Sequence, residues 1–122
     1  MNEFLRLITA VLLLSFWTPL QSPGDTLVIP DSQAAQHIGQ NASVEGVVMA
    51  VSTSRKGNTF INFGGVYPNQ DFTGWIPAGT PLASDASIKS LEGKKVKISG
   101  LIELYRGKPE IRVFSRDQTT EE

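Results

Sequence analysis

The chain has no cysteine, a single histidine and almost no net charge: 11 Lys and Arg against 12 Asp and Glu, a balance of −1. The first absence excludes disulfide staples, thiolate metal sites and a cysteine-linked lipid anchor. Stability must then come from an apolar core, and a chain of 122 residues has room for one domain. The lone His37 has no acid at helical spacing and reads as a surface or latch residue. The balanced charge removes the strongly basic surface typical of nucleic-acid binders, so any such function has to rest on where individual cations sit.

Long hydrophobic runs are also scarce. Leu7 to Trp17 (LITAVLLLSFW) is the main one, and it is shorter than the roughly 18 to 20 residues of a spanning helix. It follows a polar start containing Arg6 and ends at Thr18-Pro19. This is the layout of a secretory signal peptide over residues 1–24, with cleavage before Asp25; the alternative is an uncleaved anchor. The expectation is an exported chain, periplasmic or secreted, without stable membrane insertion once cleaved.

Residues 25–39 read as an extended lead-in and a short helix. Asp31 is the expected cap, Gly39 the stop, and Ala34, Ala35 and Ile38 the apolar stripe. Residues 40–115 are rich in β-branched residues. The first strand runs from Asn41 to Ser54, and Gly46 within it suggests a bend or bulge. Arg55-Lys56-Gly57-Asn58 is a turn, Thr59 to Phe63 the second strand and Phe72 to Ile76 the third. A helical connection closes at Gly93. Lys94 to Leu104 alternates, with Val96, Ile98, Gly100, Ile102 and Leu104 on one face, and Glu110 to Phe114 is the fifth strand. Residues 116–122 are polar and expected to be disordered. Five strands with a short helix between the third and fourth predict an all-β OB-fold barrel; another small barrel or an open meander is the alternative.

Three stretches resemble the bacterial OB-fold nucleic-acid-binding family: Ser43 to Val51 (SVEGVVMAV), Gly57 to Gly65 (GNTFINFGG) and Tyr105 to Ile111 (YRGKPEI). The similarity covers about residues 40 to 115. It implies the fold more firmly than the ligand, since one fold serves many functions.

In an OB-fold the ligand crosses the second and third strands, between the loop joining strands one and two and the loop joining strands four and five. Arg55 and Lys56 lie in the first loop, Arg106 and Lys108 in the second, placed to hold phosphates. Alternation turns Phe60 and Asn62 outward on the second strand, and Thr73 and Trp75 outward on the third. Exposed Phe60 and Trp75 would stack bases, and Tyr105 would extend that platform or close the barrel end. The bland alternatives are cations that merely discourage edge pairing and rings packed under the loop that carries Tyr67. Lys94, Lys95 and Lys97 read as a solvated basic run. Asp71, Asp85, Glu92, Glu103 and Glu110 are too scattered for a metal, and no base partners a Ser or Thr. No catalytic residue, cofactor or metal is expected. The expected partner is single-stranded nucleic acid; the alternative is an envelope protein, peptide or glycan on the same face.

Overall fold

The computed structural model describes residues 26–122. The signal-peptide prediction falls on residues 1–24 and lies outside the described residues. Among the described residues no helix is long and apolar enough to cross a membrane.

Among the described residues seven strands form: β1 (Val28–Pro30), β2 (Asn41–Thr53), β3 (Thr59–Phe63), β4 (Phe72–Ile76), β5 (Lys95–Tyr105), β6 (Lys108–Arg112) and β7 (Thr119–Glu121). The period of two decides their faces. In β5, Val96, Ile98 and Ile102 are buried while Lys95, Leu101 and Glu103 are exposed. Ile61, Phe63, Phe72, Ile76 and Ile111 complete the same core from β3, β4 and β6. Leu104, expected on the inner face, is 59% exposed. It pairs with Pro109 near the tip of the β5–β6 hairpin, beyond the part of the strand that the core covers.

Strands β2, β3 and β4 form an antiparallel meander, and β5 returns beside β2, the connection of a Greek key. β6 folds back from β5 and runs parallel to β4. The path β2–β3–β4–β6–β5–β2 is thus a ring of five strands. Two long strands make closure possible by changing partner part-way. β2 pairs with β5 through Val47 and with β3 from Val48; β5 pairs with β2 through Leu101 and with β6 from Ile102. The expected glycines sit just before these changes, at Gly46 and Gly100. The irregularity in β2 itself falls between Val48 and Ala50. Gly46 remains in register opposite Val96, and its bare backbone seats Asp31, whose Cγ would lie 2.8 Å from an added Cβ.

The lead-in helix, Asp31–His37, is a 3₁₀ helix and not α. Three residues per turn align Asp31, Ala34 and His37, so Ala34 is buried while Ala35 and Ile38 face solvent. This replaces the expected Ala34–Ala35–Ile38 stripe. Asp31 makes no cap: Pro30 holds that position. The β4–β5 connection contains a 3₁₀ turn, Pro81–Ser84, and a short helix α1, Ala86–Lys89. It buries Leu82, Ile88 and Leu91. Asp85 caps α1 by accepting from the Ser87 amide at 2.9 Å, which holds its carboxyl below the usual range.

The tail differs most from expectation. Arg116–Gln118 is a 3₁₀ turn and β7 pairs antiparallel with β5, Thr119 opposite Ile98 and Glu121 opposite Val96. Its acids answer the basic run of β5: Lys94 pairs with Glu121 at 3.3 Å and Lys97 with Glu122 at 3.7 Å. A polar segment becomes ordered here because β5 offers it unpaired backbone groups and complementary charge.

Candidate functional site

The outer face of the sheet carries two rows of side chains, set by strand register. Phe60 of β3 pairs with Trp75 of β4, and Trp75 lies beside Arg112 of β6. In the neighbouring row Asn62 pairs with Thr73, Thr73 lies beside Glu110, and Glu110 faces Glu103 of β5. One row is aromatic and ends in a cation; the other is polar and ends in two carboxylates.

Above the polar row is a cavity of about 550 Å³. Asn62, Thr73 and Glu110 line it together with Phe60. Ser52 to Ser54 line it at the end of β2, the hairpin at Tyr105, Arg106 and Lys108, and the β3–β4 loop at Tyr67, Pro68 and Gln70. Of the two loops singled out from sequence, the β5–β6 hairpin borders this depression, while the Arg55–Asn58 turn lies beyond the Ser52–Ser54 stretch that lines it.

The hairpin has a two-residue tip. Tyr105 pairs with Lys108, leaving Arg106 and Gly107 at φ +50° and +80°, a type I′ geometry that suits the twist of flanking strands. It projects Arg106 into solvent and sets its guanidinium carbon 5.3 Å from the Tyr105 ring centroid. Lys108 is half-buried, and its Nζ donates to the Gln70 carbonyl at 3.1 Å. This lysine fastens the hairpin to the β3–β4 loop.

The floor is well tied. Asn62 and Thr73 are buried, and the Thr73 hydroxyl donates to Asn62 Oδ1 at 2.8 Å. Gln70 is buried as well, and its Oε1 has no hydrogen-bond partner. Burial pushes the Glu110 carboxyl up; Glu103 adds to the rise and Arg112 opposes it.

Of the residues expected at the site, Phe60, Asn62, Thr73, Tyr105, Arg106 and Lys108 come together around the cavity. Arg55, Lys56 and Trp75 are not among its lining residues. Arg55 and Lys56 are exposed on the neighbouring β2–β3 turn. Trp75 does point outward, but Arg112 covers it: the guanidinium carbon lies 4.8 Å from its ring centroid and 5.7 Å from that of Phe114. Tyr105 lines the opening and is half exposed. Sequence reasoning missed Tyr67, Gln70, Glu110 and Arg112. The alternation that placed Thr73 outward also places Glu110 and Arg112 outward, so these two were recoverable. Gln70 and Tyr67 depend on how an irregular loop folds back, and no periodic signal marks them.

Among the described residues no group of three or more metal-ligating side chains is gathered.

No known family profile matches the chain, and no curated protein sequence matches it significantly. Solved structures do. One, described as an aspartyl-tRNA synthetase from Leishmania major Friedlin, superimposes with a TM-score of 0.52 at 9% identity, covering 84% of this chain and 22% of that one. The likeness is one of fold. This chain spans about a fifth of the length of that protein.

Proposed function

We propose that the chain is an OB-fold binding module that holds single-stranded nucleic acid across β3 and β4, without catalysing a reaction. Strand order, the parallel β4–β6 closure and the position of α1 before β5 fit that fold. The observation that carries the reading is the cavity on the outer β3–β4 face, bordered by the end of β2 at Ser52–Ser54 and by the β5–β6 hairpin, on the face where OB-folds take oligonucleotides. Phe60, Tyr67 and Tyr105 offer ring faces for stacking. Arg106 at the rim, with Arg55 and Lys56 on the adjoining turn, supplies cations for phosphates, while the acidic floor is left for bases. The solved protein of like fold is, by its name, an aspartyl-tRNA synthetase.

Few cations make the affinity modest and salt-dependent. Anisotropy of a labelled single-stranded oligonucleotide, titrated with the full chain at low and raised salt, tests this. Binding that weakens with salt, and falls about tenfold or more in Phe60→Ala or Tyr105→Ala, is the expected result. Absence of binding at low salt overturns the reading.

The second reading is an envelope peptide or glycan on the same face. It draws on the balanced charge and the half-exposed tyrosine walls, on which sugar rings also stack. Export rests on residues 1–24 alone and is tested by cell fractionation.

A further inference from the structure

Outside the cavity, the aromatic row ends in an exposed cation that two rings hold. The guanidinium carbon of Arg112 lies 4.8 Å from the Trp75 ring centroid and 5.7 Å from that of Phe114, both within the roughly 6 Å of a cation–π contact. The ion pairs among the described residues join Lys89 to Glu92, Lys94 to Glu121 and Lys97 to Glu122. Arg112 takes part in none of them, and its guanidinium makes no hydrogen bond to a described residue. Glu110, two residues back on the same face of β6, leaves it unpaired. The rings therefore order the side chain while its N–H donors stay available. A long side chain already held in place loses less freedom when an anion arrives.

We propose that Arg112 is a phosphate anchor, and that the nucleic-acid path leaves the cavity along the row Phe60–Trp75–Arg112–Phe114. Phe60 belongs to both parts: it lines the cavity and stands opposite Trp75 in register. Trp75 lies beside Arg112 across the parallel β4–β6 pair. Strands about 4.8 Å apart put Arg112 roughly 10 Å from Phe60 across the sheet. A phosphate suits the guanidinium because its oxygens accept two parallel N–H bonds. A base next to that phosphate finds the ring of Phe114, 61% exposed. Arg106 marks the other end of the path. Four steps of about 3.3 Å along β6 separate Lys108 from Arg112 by roughly 13 Å, and Arg106 lies beyond Lys108 at the hairpin tip. Two arginines so far apart serve different phosphates. Glu110 and its partner Glu103 stand between them and repel phosphate, so the backbone is held at the two ends.

This inference rests on the nucleic-acid reading above, and the test separates the two. Trp17→Phe leaves Trp75 as the sole tryptophan of the full chain. Labelled oligo(dT) of about a dozen nucleotides, titrated at low salt, is expected to change Trp75 emission with the same midpoint as its own anisotropy. Binding by anisotropy with unchanged emission overturns the extended path and leaves the nucleic-acid reading standing. Arg112→Met keeps an apolar cover on Trp75 and removes the charge. At about 50 mM salt it is expected to bind about tenfold more weakly, and its salt slope is expected to fall by about one. Arg112→Lys is expected to restore the slope. Thermal melts establish that each variant is folded. A folded Arg112→Met with wild-type affinity and slope overturns the inference, because Arg112 is then only a cover for Trp75. So does a slope that lysine fails to restore, since the loss then follows packing and not charge. Absence of binding by wild type ends both readings.

Discussion

Arg106 sits at φ +50° at the tip of the β5–β6 hairpin, a left-handed conformation that costs most L-residues about 1–2 kcal/mol. Asn would fit this first position of a type I′ turn better. Keeping arginine there exchanges some stability for a cation at the cavity rim. Arg106→Asn is therefore expected to raise stability by up to about 1 kcal/mol in urea unfolding, while weakening oligonucleotide binding and lowering its salt slope by about one. Glu110 shows the same tension. Its carboxyl is pushed up by burial and by Glu103, so the folded state holds the proton more tightly than the unfolded state. Stability contributed by the protonated form is full below the unfolded value, about pH 4, and is lost as pH rises through the higher folded value. Glu110→Gln removes this loss. Its melting temperature is expected to exceed that of wild type at neutral pH and to match it below about pH 4. A variant no more stable at neutral pH would show that the half-buried carboxylate carries no penalty.

Among the elements, the tail depends on one side chain. Gln118 Oε1 accepts from the amides of Phe114 at 2.7 Å and Ser115 at 3.1 Å, and its Nε2 donates to the carbonyls of Ser99 and Arg112, both at 3.0 Å. It ties the end of β6 to β5 and starts β7. Gln118→Ala leaves these backbone groups without that partner and is expected to cost about 1–3 kcal/mol, read as a lower urea midpoint with unchanged slope. Removing residues 116–122 goes further: it takes away β7 and frees the β5 edge from Val96 to Ile98. Concentration-dependent association by light scattering is the expected consequence. The two ion pairs of Lys94 and Lys97 are partly exposed and contribute about 0–1 kcal/mol each, so raised salt alone is expected to leave the tail in place.

At the scale of the molecule, the ring closes tightly enough that one inward position of β4 has no room for a side chain. A Cβ on Gly74 would lie 2.5 Å from Ile98 Cδ1, and Ile98 is fully buried. The tip of the Ile98 side chain, from β5, fills the space that a side chain at Gly74 would need. Gly74→Val forces that contact apart and is expected to cost about 1–3 kcal/mol in denaturant unfolding. It would also disturb the outer face, because Gly74 lies between Thr73 of the cavity floor and Trp75.

Alternation in the sequence placed the second and third strands of the meander and turned Phe60, Asn62, Thr73 and Trp75 outward, since a period of two fixes the face once the core residues are known; the strand expected at Glu110 to Phe114 starts two residues earlier and runs from Lys108 to Arg112. Of the glycines in the two long strands, Gly100 lies beside the partner change of β5, whereas Gly46 stays in register and seats Asp31, and the irregularity of β2 falls between Val48 and Ala50. Local pattern carries no information about what a neighbouring segment does. That is why the 3₁₀ pitch at Asp31–His37, the strand in the tail and the Arg112 cover on Trp75 escaped the sequence reading. The cavity belongs to the same class: it exists only because the β3–β4 loop and the β5–β6 hairpin, 38 positions apart at the bond from Lys108 to Gln70, meet over one sheet face. Which residues can point outward was settled by short-range backbone geometry; which of them share a site was settled by ring closure.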